Sequence, residues 1–203
     1  MQQSPSDRSW KRINTLLTLT LLFVLPAVSW WYLSKGLDYR RASMAEMQDY
    51  GNIADFTLVD QLNRPFRMSD QHGKAVVIQF LPADGKEAAA RTERLGKVFE
   101  SFRDADDIQF LSFAPTDSLL ATRERAVRLG ITDASIWRLL TAPDTTLQRL
   151  STQVFGLEGP ADQRLVLADT SLTMRRYYDV GVNEDMGRLV EQIAIVIPKQ
   201  RRR

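Results

Sequence analysis

The stretch that decides the fold is 73-GKAVVIQFLPADGKEAAARTERLGKVFESFRDADDIQFLSFAP-115. Ala75 to Phe80 is a continuous apolar run of the length of a buried strand. Ile108 to Ala114, IQFLSFA, is a second one. Between them Leu95, Val98, Phe99 and Phe102 recur at the spacing of one helical face, with charges on the other face. Strand, helix and strand in this order require a crossover, and therefore parallel neighbours in a sheet.

Working outward, the same alternation continues. Ser118 to Leu129 reads as a helix with Gly130 as its C-cap. Trp137 to Leu140 reads as a short strand, and Leu147, Leu150, Val154 and Phe155 mark another helix face. Arg164 to Ala168 and Thr173 to Tyr178 read as two strands joined through Asp169 and Ser171. A last helix runs from about Glu184 to Val196 and stops at Pro198. On the other side, Phe56 to Val59 and Pro65 to Met68 read as a hairpin around Asp60 to Asn63. The predicted fold class is α/β: a thioredoxin-like domain with a mixed central sheet flanked by helices and an N-terminal hairpin, over residues 51–197.

The first 50 residues are different in kind. Residues 1–12 form a basic tail with Arg8, Lys11 and Arg12. Ile13 to Leu33 carries no charge, and about 20 apolar residues suffice for a helix to cross a bilayer. Pro26 is tolerated in such a helix, and Trp30, Trp31 and Tyr32 sit where aromatic rings favour the headgroup layer. Residues 13–33 are therefore predicted to be one N-terminal transmembrane helix, a signal anchor. The competing reading is a cleaved signal peptide with a site at Ala27-Val28-Ser29, but the apolar character continues through it. Lys35, Arg40 and Arg41 nearly balance the basic N-terminus, so charge alone sets no orientation. Residues 34–50 read as a stalk, helical from Tyr39 to Met47, and residues 198–203 as a basic tail.

Composition removes several chemistries. The chain of 203 residues has no cysteine and a single histidine. Disulfides, thiolate nucleophiles and cysteine-ligated metals are excluded. No HExxH zinc site can form, and any catalytic triad would need His72. A net charge of +2 does not call for nucleic acid.

Other candidates reduce to ordinary structure. His72, with Asp70 beside it, belongs to a turn before a strand. Asp104, Asp106 and Asp107 form a solvated loop that lacks the ligand spacing of a calcium site. Met44 and Met47, at i, i+3, are a packing pair before they are a soft-metal pair. Lys199, Arg201, Arg202 and Arg203 form a solvated tail that could rest on anionic lipid. Tyr177 and Tyr178 should point to opposite faces of their strand. No phosphate-binding loop and no nucleophile elbow is present.

The order and spacing of several segments resemble one family. FTLVDQLNRPFRMSDQHGKAVVIQF (56–80), SFAPTD (112–117), WRLLTAP (137–143) and RLVLADTSLTMRRYYD (164–179) are similar to the Sco/SenC proteins. That family comprises thioredoxin-fold, membrane-anchored copper chaperones or thiol reductants of cytochrome c oxidase assembly, with a CxxxC motif and a distant histidine as copper ligands. By this resemblance the two cysteines fall near Gly85 and Ala89, the histidine near Ala161, and the aspartate of the family's S-x-D-P segment at Ala114. This chain resembles a degenerate member without those ligands. The resemblance thus implies no catalytic, cofactor-binding or metal residues, no cofactor and no enzymatic activity.

At the end where a reactive thiolate would sit, Asp84 and Glu87 have the spacing of a capping box, with Pro82 in the same turn. A closed helix end is expected there. The resemblance further implies a bacterial inner-membrane protein with its soluble domain in the periplasm. Its expected partners are the membrane and a respiratory oxidase subunit or another assembly factor, and not nucleic acid. No feature sets an oligomeric state. A permanent accessory subunit, or a carrier or enzyme using a non-cysteine site, stands as the alternative.

Overall fold

The computed structural model describes residues 18, 20–32, 44–83, 85–115 and 118–197. Residues 1–45 and Glu46–Arg203 form two separate units. In the first, residues 20–32 are helical, and Leu21, Leu22, Phe23, Trp30, Trp31 and Tyr32 are all exposed. Among the described residues no helix is long and apolar enough to cross a membrane. Residues 13–17, 19 and 33 of the expected span lie outside them, as do both basic tails and residues 34–43 of the expected stalk.

The second unit contains one seven-stranded sheet. Its strands are β1 (Thr57–Asp60), β2 (Pro65–Arg67), β3 (Ala75–Phe80), β4 (Ile108–Pro115), β5 (Trp137–Ala142), β6 (Arg164–Ala168) and β7 (Met174–Asp179), in the order β2-β1-β5-β4-β3-β6-β7. The central trio β5, β4 and β3 is parallel, and the two flanking hairpins join it antiparallel. The helices are α1 (Gly85–Glu100), α2 (Leu119–Arg128), α3 (Asp144–Arg149) and α4 (Asn183–Val196). The predicted sequence of elements is the observed one. The helix expected around Leu147 to Phe155 is split, since α3 gives way to a π turn at Leu150–Val154.

Every residue of β3 is buried because both faces of the sheet are covered. Ala75 and Val77 pack with Phe110, Leu139, Leu95 and Val98 of α1, Ala126 of α2 and Leu189 and Ile193 of α4. Val76, Ile78 and Phe80 pack on the other face with Phe66, Phe113, Leu147 and Phe155. Phe80 and Phe113 are register partners whose rings stack at 4.7 Å. Burial of each such side chain contributes about 2 kcal/mol, before conformational entropy is set against it.

The ends of these elements follow from local chemistry. Asp60, fully buried, accepts from the amides of Leu62 and Arg64 and pairs with the Arg64 guanidinium at 2.9 Å, which closes the first hairpin. α2 is closed by Leu129 and then Gly130, whose φ of +74° favours glycine. Beyond β7, residues 48–53 run along its free edge. The amides of Gln48, Tyr50 and Ile53 donate to the carbonyls of Arg175, Met174 and Leu172. The last residues of the expected stalk therefore cover a sheet edge that would otherwise present unpaired groups.

Candidate functional site

β3 lies between a parallel neighbour, β4, and an antiparallel one, β6. The connection leaving its carboxyl end is where open α/β sheets place their ligands. Leu81 continues the pairing with β4 through its amide, which donates to the Phe113 carbonyl at 2.8 Å. The chain then passes Pro82 and Ala83 and enters α1 at Gly85. Asp84 lies outside the described residues, so of the expected capping pair only Glu87 can be placed.

Glu87 is engaged by Arg91, one turn further along α1. Arg91 is only 6% exposed, on the helix stripe that carries Ala88, Thr92, Leu95 and Val98. Its Nη1 donates to the Asp162 carbonyl at 2.9 Å and to the Phe80 carbonyl at 3.4 Å. Its Nη2 donates to the Ala161 carbonyl at 2.9 Å as well as to Glu87. One guanidinium thus ties α1 to the end of β3 and to the loop that precedes β6.

A second guanidinium secures the same connection from the other side. Arg125 of α2 donates from Nη2 to the Pro82 carbonyl at 2.8 Å and from Nη1 to the Pro115 carbonyl, at the end of β4, at 3.1 Å. Burial lowers the Arg125 pKa, with the nearby Arg128 charge adding to the shift, but a guanidinium stays charged.

The loop before β6 is itself well fixed. Gly156 has φ of +63°, and a Cβ there would lie 3.1 Å from the Tyr177 hydroxyl. Asp162 accepts from the amides of Glu158 and Arg164 and from the Arg164 guanidinium at 2.6 Å. Burial alone would raise the Asp162 pKa. The Arg164 hydrogen bond and the two amides outweigh it and hold the carboxyl below its usual range.

Arg91 joins the loop before β6 to α1 and so forms one rim, whose two sides carry the positions where the resemblance places the family's ligands: Gly85 and Ala89 on α1 and Ala161 on the loop. Gly85, Ala89 and Ala161 are all exposed, and Ala161 is bonded through its carbonyl to α1. A Cβ built on Gly85 meets nothing within 4 Å. A copper ion held by two thiolates and an imidazole does not fit this set. The three side chains offer no donor atom, and a guanidinium cation is bonded to the backbone at Ala161. Ala114 is buried in the core and contributes only packing. Nothing described at this rim forms a nucleophile and base pair.

The remaining candidates lie elsewhere. His72 is exposed at the opposite end of β3, its amide donating to the Ser69 carbonyl. Asp107 uses its carbonyl to accept from Ala75, while Asp104 and Asp106 are exposed. Among the described residues no group of three or more His, Asp or Glu could hold a metal ion. Met44 is exposed and Met47 half-buried. Tyr177 and Tyr178 do split. Tyr178 is buried on the α4 face, where burial pushes its phenol pKa up, and Tyr177 donates to the Phe155 carbonyl on the other face.

A second polar cluster surrounds Glu46. Its carboxylate accepts from Arg176 of β7, from Arg188 of α4 at 3.2 Å and from Gln192 at 3.4 Å. Tyr178 donates its hydroxyl to Gln192. The Arg176 hydrogen bond, helped by the charges of Arg176 and Arg188, holds the Glu46 carboxyl below the usual range.

Sequence reasoning missed Arg91, Arg125 and Glu46. Arg91 had a signal: it falls on the apolar stripe of α1 four residues after Glu87, where an unpaired cation would be costly. Arg125 likewise shares the inward face of α2 with Thr122 and Ala126.

The chain is similar in fold to solved thioredoxin-like proteins. A SCO1/SenC family lipoprotein from Bacillus anthracis superposes with a TM-score of 0.60 at 19% identity, covering 72% of this chain and 95% of that one. BsSco, a member of the Sco family of cytochrome c oxidase assembly proteins, gives 0.60 at 11% identity, covering 74% and 96%. The thioredoxin domain of a thiol-disulfide oxidoreductase from Bacteroides vulgatus gives 0.56 at 15% identity, covering 73% and 98%. No protein-family model and no curated protein matches the chain. At these identities the likeness establishes the thioredoxin-like fold.

Proposed function

We propose that this chain is a membrane-anchored, Sco/SenC-like protein that acts by binding and performs no redox or copper chemistry. In this reading it is a non-catalytic factor in respiratory oxidase assembly, with its domain on the periplasmic side of a bacterial inner membrane. One observation carries the proposal. At the rim where this fold presents reactive groups, Gly85, Ala89 and Ala161 stand without donor atoms, and Arg91 bonds the surrounding carbonyls. A rim held from behind by guanidinium groups is pre-organised, so little ordering opposes the docking of a partner. Supporting the anchor are the uncharged run Ile13 to Leu33 and the exposed apolar side chains of residues 20–32. The process is taken from the Sco family of cytochrome c oxidase assembly proteins, one member of which shares the fold.

The test is crosslinking in native membranes followed by purification of the full chain in mild detergent. An oxidase subunit or another assembly factor is expected among the crosslinked products. Recovery of the chain alone would overturn the proposal. Stoichiometric retention in the mature oxidase would instead make it a permanent accessory subunit.

A further inference from the structure

α2 turns Thr122, Arg125 and Ala126 inward and leaves a second face outside. On that outer face Leu120 is 71% exposed and Val127 is 66% exposed, among the most exposed large apolar side chains of the domain. Arg123 and Glu124 lie between them and are also exposed. Residues 120, 123, 124 and 127 follow the i, i+3, i+4, i+7 spacing of one helical face.

This face is complementary to itself when reversed. In an antiparallel pair centred between Arg123 and Glu124, Leu120 of one helix meets Val127 of the other. In the same register Arg123 meets Glu124, and both contacts occur twice, as a two-fold interface requires. Arg123 has no ion-pair partner among the described residues. Glu124 is paired only loosely, with Arg128 at 3.7 Å. The opposite register, with helices parallel, sets Arg123 on Arg123 and Glu124 on Glu124, which repel.

We propose that the outer face of α2 is a docking surface for a second copy of this chain, pairing antiparallel with Leu120 against Val127 and Arg123 against Glu124. Two helices of 10 residues bury less than the roughly 1,200 Å² of a stable complex. The pair is therefore transient and is best captured covalently. The proposal stands independently of the partner and process argued above.

Because the chain has no cysteine, single substitutions supply unique thiols at exposed positions. Full-length Leu120→Cys and Val127→Cys chains are mixed in equal amounts, in mild detergent and in membranes, and treated with a short bismaleimide. The mixed product is expected to exceed either like-with-like product by roughly tenfold, against about twofold for random pairing. Arg123→Glu in both chains should lower its yield by about fivefold, and Arg123→Glu with Glu124→Arg should restore it. The proposal is overturned by a random product ratio, by absence of dimer, or by a double variant no better than the single one. Adducts in membranes only to a different protein would also overturn it, assigning the face to a heterologous partner.

Discussion

At the carboxyl end of β3, Arg91 and Arg125 donate to backbone carbonyls of Phe80, Ala161, Asp162, Pro82 and Pro115. On the β7 edge, Arg176 and Arg188 converge instead on one carboxylate, Glu46. The two clusters join distant chain segments by opposite means. Arg91 is shielded from water, so its cation depends on the groups around it, and those carbonyls lose their donors if it leaves. Glu46 keeps access to water, which screens its pairs and replaces them when they break. The first cluster should therefore contribute to global stability, and the second should control only local attachment of residues 46–53.

The contrast can be broken most easily at Arg91. Arg91→Met keeps much of the side-chain volume but removes donors to three carbonyls. It is expected to lower unfolding stability by about 3 kcal/mol and to speed amide exchange across residues 156–163. A denaturation midpoint like that of the parent chain would mean that Arg91 does not hold the rim. Arg125→Met, at a half-buried site with two carbonyl partners, should cost about 1–2 kcal/mol in the same experiment.

A gain of function sharpens the placement of the rim. Gly85→Cys with Ala89→Cys should give a dithiol that closes to a disulfide under mild oxidant, read by loss of free thiol without dimer formation. Persistent free thiols would show that the two positions do not face each other.

The smallest effects belong to Glu46. Glu46→Gln should leave the denaturation midpoint unchanged while weakening amide protection at Gln48 and Tyr50. The same segment should respond to acid in a defined direction. The Glu46 carboxyl is held below the usual range in the folded chain. Its contribution is therefore complete above the ordinary carboxylate pKa and is lost as pH falls through the lowered one. Protection at Gln48 and Tyr50, corrected for intrinsic exchange, should be flat near neutrality and fall only in acid. A loss of protection beginning near pH 7 would assign the attachment to another group.

The same contrast explains what the sequence revealed. AVVIQF and IQFLSFA announced the parallel centre because strands covered on both faces need unbroken apolar runs. Gly130 announced the end of α2 because its φ is positive. Residues 48–53, QDYGNI, gave no such sign, since their pairing with β7 uses backbone groups that any sequence supplies. The π turn after α3 was hidden for a similar reason, as Leu147, Leu150 and Phe155 keep a helical spacing across it. At the rim, the resemblance singled out Gly85, Ala89 and Ala161 and passed over Arg91, whose place on the apolar stripe of α1 was its one signal. A pattern reading assigns arginine to the solvent face, and only the carbonyls converging from β3 and the β6 loop make an inward arginine favourable. Those carbonyls belong to residues about 10 and 70 positions away in sequence.

At this rim Arg91 holds the carbonyls of Phe80, Ala161 and Asp162, and the side chains of Gly85, Ala89 and Ala161 bring no donor atom. The measurement that tests this most directly is a copper(I) competition titration of the full-length chain against a colorimetric chelator. The expected result is an unchanged chelator–copper spectrum at equimolar protein, because Gly85, Ala89 and Ala161 provide no ligand. Stoichiometric removal of copper(I) from the chelator would contradict the account and return metal chemistry to this chain.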